Sequence, residues 1–201
     1  MKCVLADAPE TIGLVLTAVA GDQRIPTAPN SPIWIDLTVT NAGLLPFDGM
    51  YHDRIGYGTV ATTSTVTDFV KQKCIDGCRS GAANELVLDA GKTKVFHIVL
   101  NDTLPVIKPG TLSGWIVLPL CYLPESKLVN FTLVAPFSVK IGPPLTQEEL
   151  TSASNVLFED IMAGGGDLHD QALQSLNVLP DHYAVQILAR AIKKLAPWGR
   201  A

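Results

Sequence analysis

The spacing of apolar residues changes abruptly at Gly142-Pro143-Pro144. Ahead of that point they alternate in short runs, and beyond it they recur every third or fourth residue. A period of two builds a sheet with one buried face, and a period near 3.6 builds a helix with one buried stripe. Tandem prolines continue neither ladder, so they mark a joint. The chain of 201 residues is therefore expected to divide into a β-rich part, 1–141, and a helical extension, 142–201.

The β-rich part opens with Thr11–Ala20, where Ile12, Leu14, Leu16 and Ala18 share a face. Pro32–Thr40 repeats the pattern with Ile33, Ile35, Leu37 and Val39 inward. Trp34, Asp36, Thr38 and Thr40 are then expected on a wet outer face. Asn41-Ala42-Gly43 ends the run with residues that tolerate turn geometry. Further strands are read in the Thr/Val-rich Tyr57–Val70, in Glu85–Leu88, in Thr93–Leu100, in Leu112–Leu120 and in Leu128–Ile141. Short strands separated by turn signals close most naturally into an antiparallel sandwich.

In the extension, Thr146-Gln147-Glu148-Glu149 fits a capping box, and Leu150, Ala153, Leu157 and Ile161 form a stripe behind it. Ala163-Gly164-Gly165-Gly166 ends that helix. A short helix is expected over Leu168–Leu176. A third starts at Pro180-Asp181, with Ala184, Val185, Leu188, Ala191, Ile192 and Leu195 on its core side, and Pro197 stops it. Helices this short need a partner surface to bury their stripes.

The stretches "IDLTVTNAG" and "LVLDAGKTKVFHIVL" resemble the immunoglobulin-like sandwiches of bacterial extracellular proteins, over roughly Thr11 to Ile141. The resemblance implies a non-catalytic fold whose loops and sheet faces carry binding. The Tyr51–Ala83 middle departs from the usual strand spacing. The segment Ala172–Leu195 resembles one HEAT-type unit: a short helix, a Pro-Asp turn and a second amphipathic helix.

Apolar residues make up 47% of the chain and charged residues 17%, enough to build a core and too few charges for disorder. A net charge of −4 does not provide the basic field that nucleic acid needs. The longest apolar run, Gly114–Leu123, contains Pro119 and falls short of the roughly 18–20 residues that span a bilayer, so no membrane span is expected. The opening "MKCVLADAPE" does not have the form of a signal peptide. The composition favours an extracellular or cell-envelope protein whose leader precedes this sequence, with a cytoplasmic one as the alternative.

Of the four cysteines, Cys74 and Cys78 flank the turn pair Asp76-Gly77 and are candidates for one disulfide, leaving Cys3 with Cys121. Free buried thiols are the alternative. A structural zinc site usually draws on paired short spacings, and only one is present here.

Candidate chemistry is sparse. "DGMYHDR" places Asp48, His52 and Asp53 in an expected loop, where they are the candidate binding residues. Asp and His there could bind a cation or exchange a proton. "GGGDLHD" (Asp167, His169, Asp170) reads as a helix start. His97 reads as a surface or interface histidine. The sequence contains no Gly-x-Ser-x-Gly elbow, His-Glu-x-x-His, calcium loop or dinucleotide fingerprint. No cofactor is expected, and the chain is not expected to be an enzyme. Asn101-Asp102-Thr103 and Asn130-Phe131-Thr132 match the glycosylation sequon. The expected function is a binding or structural module for a protein partner. The alternatives are a protease inhibitor working through Leu44–Phe47 or Leu104–Gly110 and, more distantly, a metal-dependent hydrolase built on Asp48, His52 and Asp53.

Overall fold

The computed structural model describes residues 12–21, 24–52, 56–59, 83–102, 106, 108–122 and 129–195. Eight strands precede three helices: β1 (Leu14–Ala20), β2 (Trp34–Asn41), β3 (Phe47–His52), β4 (Gly56–Thr59), β5 (Ala83–Leu88), β6 (Thr93–Val99), β7 (Gly110–Tyr122) and β8 (Val129–Ile141), then α1 (Gln147–Ala163), α2 (Asp167–Ser175) and α3 (Asp181–Leu195). One sheet has the order β1-β2-β6. In the other, β7 lies between β8 and β3, and β3 also pairs with β5. All pairings are antiparallel, and together they make an immunoglobulin-like sandwich with a helical extension.

The two prolines of the second sheet sit where a missing N–H costs least. β3 pairs with residues 120–122 of β7 and β4 with residues 114–117, and Pro119 falls in the interval between them. Pro136 lies on β8, an edge strand, the usual place for proline in a sheet.

Two cores share this framework. The first lies between the sheets, with Leu14, Leu16, Ile35, Leu37, Val39, Ile116, Leu118, Leu133 and Val139 among its members. The inward alternation of β1, β2, β7 and β8 is thus as their sequences imply. The second core joins the helices to the outside of the smaller sheet. Leu150, Ala153, Leu157 and Ile161 of α1 meet Ile25, Ala28, Trp34 and Val99.

That second core corrects one expectation. Trp34 does point away from the sandwich interior, yet it is only 2% exposed. An alternating strand indicates which side a residue takes, but not whether another layer covers that side. Polar contacts fasten the layer. Arg24 donates two hydrogen bonds to the Asp160 carboxylate, at 2.9 and 2.8 Å. Asn30 and the Leu145 backbone exchange a reciprocal pair at 3.1 and 2.7 Å. Within the sandwich itself, Asn101 accepts from Ile33 N–H and donates to the Ser31 carbonyl, at 2.8 and 2.7 Å, which ties the chain after β6 to the chain before β2.

The helix starts agree with the sequence. Thr146 Oγ1 accepts from Glu149 N–H at 3.3 Å, and the Glu149 carboxylate accepts from Thr146 N–H at 2.8 Å. Gly164, Gly165 and Gly166 all have positive φ (65°, 74° and 89°), which turns the chain sharply into α2. Within α2, His169 Nδ1 lies 3.0 Å from the Ile161 carbonyl oxygen, so this histidine ties α2 to α1.

The face of α3 is a second correction. Its buried residues are Tyr183, Ile187 and Ala191. Of the expected core side, only Ala191 is buried and Ala184 is half-buried. Val185, Leu188, Ile192 and Leu195 are 63%, 43%, 67% and 56% exposed. The helix carries two apolar stripes, and periodicity alone does not choose between them.

Candidate binding site

Asp48 and His52, expected in a loop, both lie on a strand. Phe47–His52 is strand β3 rather than a loop, and Asp53 lies outside the described residues. Asp48 is exposed on β3 opposite Val87. It stands four residues from His52 along the strand, about 13 Å at the usual rise. Asp36 and His97 on the smaller sheet do meet, with Nδ1 2.7 Å from Oδ1. Among the described residues no three His, Cys, Asp or Glu side chains are placed to hold a metal ion, and no buried side-chain nitrogen or oxygen lacks a partner.

What the structure builds with most care is the turn between β2 and β3. Leu44 and Leu45 at its tip are 95% and 78% exposed. Asn41 does more than end the strand with a turn residue, which is all that the sequence Asn41-Ala42-Gly43 implies. Asn41 is fully buried. Its Nδ2 donates to the Leu45 carbonyl at 2.9 Å and to the Leu88 carbonyl at 2.8 Å. Its Oδ1 accepts from Gly43 N–H at 3.0 Å. One side chain thus holds both sides of the turn and ties it to the end of β5.

The backbone adds further ties. Asn41 N–H donates to the Lys92 carbonyl, Gly91 N–H to the Asn41 carbonyl and Ala42 N–H to the Gly13 carbonyl, at 3.0, 2.7 and 2.8 Å. Gly13 has φ of 65°, and a Cβ there would stand 2.6 Å from Gly43 Cα. The two backbones touch because neither carries a side chain. On the far side, Phe47 enters an aromatic cluster, its ring centroid 6.1 Å from Tyr122 and 6.2 Å from Phe131. Gly49 leaves room for that ring, since a Cβ there would lie 2.6 Å from Phe47 Cζ.

The turn is therefore a fixed projection, not a slack connection. β2 runs from Trp34 under the helices to Asn41, so the two leucines stand at the end of the sandwich away from the helical layer. Asp48, Asp89 and Lys92 are exposed near the same end. An apolar tip beside charged residues follows the pattern of a binding patch with a polar rim.

Cys121, on β7 opposite Met50, is buried. Cys3, Cys74 and Cys78 lie outside the described residues, as do Leu104, Pro105 and Ile107 of the other expected inhibitory loop.

No family model and no curated protein matches the chain. Among solved structures, the ASH/PapD-like domain 7 of human CEP192 aligns at a TM-score of 0.35 and 13% identity, covering 72% of this chain and 96% of that one. The bacterial hydrophobin BslA aligns at 0.33 and 14% identity, covering 72% of this chain and all of that one. A β-glucosidase from Listeria innocua aligns at 0.28 and 13% identity over 66% of this chain and 17% of its own. None of these likenesses supports a HEAT-type repeat, and no functional statement follows from them.

Proposed function

We propose that the chain is a non-catalytic binding module that docks a protein partner onto the Leu44–Leu45 tip, with Asp48 in the rim. One observation carries this reading: two almost fully exposed leucines are held on a turn that a buried asparagine fixes from both sides. Each leucine buried by a partner contributes about 1.5–3 kcal/mol. A turn already fixed loses little conformational entropy on docking. His52, at the opposite end of β3 from the tip, stands outside this patch. The even number of cysteines in a β-rich chain suits an oxidising compartment, extracellular or in the cell envelope.

The test compares the wild type with Leu44→Ser/Leu45→Ser in quantitative capture from the envelope fraction. The reading requires a protein retained by the wild type and lost by the double variant, with melting temperatures equal within about 2 °C. A partner held equally by both, or binding of the tip to neutral lipid vesicles alone, overturns it.

A second reading uses the same turn. The Asn41 bond to the Leu45 carbonyl gives the tip the fixed shape that a substrate-like protease inhibitor needs. Inhibition of a serine or cysteine protease that disappears in the double variant would select it over docking.

A further inference from the structure

We infer that the free edge of β5 takes up an extended basic segment of another protein as one further strand of the sheet. This surface does not depend on the Leu44–Leu45 reading. Among the described residues β5 pairs with β3 alone and stands at the end of its sheet. An edge strand offers a row of N–H and C=O groups to any chain that can lie beside it, and proteins deter this with prolines, inward charges or a covering element. Three other edge strands show such devices. β8 carries Pro136, β1 packs against β8, and β6 turns Lys94 inward, 5.0 Å over the Tyr51 ring and 5.3 Å over Phe96. β5 has no proline and no inward charge. Leu86 and Leu88, 0% and 5% exposed, anchor its inner side, so the edge is already formed.

Charge selects the occupant. On the outer side of β5, Glu85 is exposed, Val87 is 54% exposed, and exposed Asp89 follows just past the strand's end. Asp48 faces Val87 from β3. These three carboxylates make no ion pair with any described residue, Lys92 on the same turn as Asp89 included. A second copy laid antiparallel about Val87 would set Glu85 against Asp89 twice over, so like charge opposes self-pairing. An incoming strand with cations at positions i and i+4 and a β-branched residue at i+2 meets Glu85, Val87 and Asp89 in turn, because alternate residues share a face. Main-chain bonds then supply the affinity, and the alternate side chains supply the specificity.

The probe is the synthetic peptide acetyl-Thr-Lys-Thr-Val-Thr-Lys-Thr-amide, titrated into the full chain and followed by amide NMR shifts. The expected dissociation constant is about 10–500 µM, with the shifts centred on β5. The same peptide with both lysines replaced by glutamate should bind about tenfold more weakly or worse. Glu85→Lys/Asp89→Lys, at exposed positions, should invert that preference. Backbone N-methylation of the peptide at its odd or at its even residues separates strand addition from charge attraction alone. One set should abolish binding and the other leave it unchanged, because only alternate N–H groups of an added strand face its neighbour. No binding up to about 2 mM, equal affinity for the lysine and glutamate peptides, or equal tolerance of both methylated sets overturns the inference. A dimer of the chain that Val87→Lys dissolves would give the edge to a second copy and overturns it as well.

Discussion

The indole Nε1–H of Trp34 donates to Ser175 Oγ at 3.0 Å, and this bond joins the outer face of β2 to the last turn of α2. Both residues are buried, at 2% and 0% exposure. Ser175 Oγ in turn donates to the Gln171 carbonyl at 2.7 Å, so the hydroxyl is used in both directions. The Arg24 guanidinium stacks on the indole, 5.5 Å from its centroid.

Trp34→Phe removes the donor and part of the volume, and should cost about 1–2 kcal/mol. Trp34→Ala should cost about 3–5 kcal/mol by opening a cavity between the sheet and the helices. Urea unfolding followed by circular dichroism measures both. A cost below about 1 kcal/mol for the alanine variant would show that the helical layer does not depend on this residue.

Asn41→Ala leaves the Leu45 and Leu88 carbonyls without their donor and should cost about 2–4 kcal/mol. Asn41→Asp can still accept from Gly43 but donates to neither carbonyl, so it should be no better. Hydrogen exchange at the Gly43 and Leu45 amides should accelerate in both variants by more than global stability explains. Unchanged local exchange would mean that the turn holds its shape without the side chain.

The capping box gives a pH dependence of known sign. The Thr146 N–H, and then the Thr146 hydroxyl, hold the Glu149 carboxyl below its usual value of 4.5. A carboxyl lowered on folding contributes its full stability above the unfolded pKa and loses it as pH falls through the folded one. The stability difference between wild type and Glu149→Gln should therefore be constant above about pH 5 and shrink below it. A difference that grows towards acid would reverse this assignment.

For Cys121 we expect Cys3 as the disulfide partner and Cys74–Cys78 as the second bridge. Leu14 pairs with Asn41, and Tyr122 pairs with Gly49, so β1 begins at the end of the sandwich where Cys121 lies. Peptide mapping without reductant decides the pairing, and a Cys121 peptide linked to Cys74 or Cys78 rejects it.

Much of this architecture was legible because its signals are local. The alternation in β2, the Thr146–Glu149 box and the glycine run after α1 each need only a few neighbouring residues. The rest depends on distant partners. Trp34 looked like a surface residue because the layer that buries it lies more than a hundred positions away. The buried side of α3 is not readable from its spacing because the helix is apolar on two sides, and Arg190 with Phe158 sets its roll. β3 escaped notice because Asp48, Gly49 and His52 are poor strand formers. Its pairing with β5 and β7 overrides that preference. The Leu44–Leu45 tip was noticed as a possible inhibitory loop, but the role of Asn41 was hidden, since an asparagine in a turn usually serves only itself.

Strand β2 is a party wall. Its even and odd residues belong to different rooms, Ile35, Leu37 and Val39 to one and Trp34 to the other. A fragment cut at Gly142 would not be a tidy half-protein. It would carry an indole, Val99 and Ile25 bare to water, and its solubility would fail before its sandwich did.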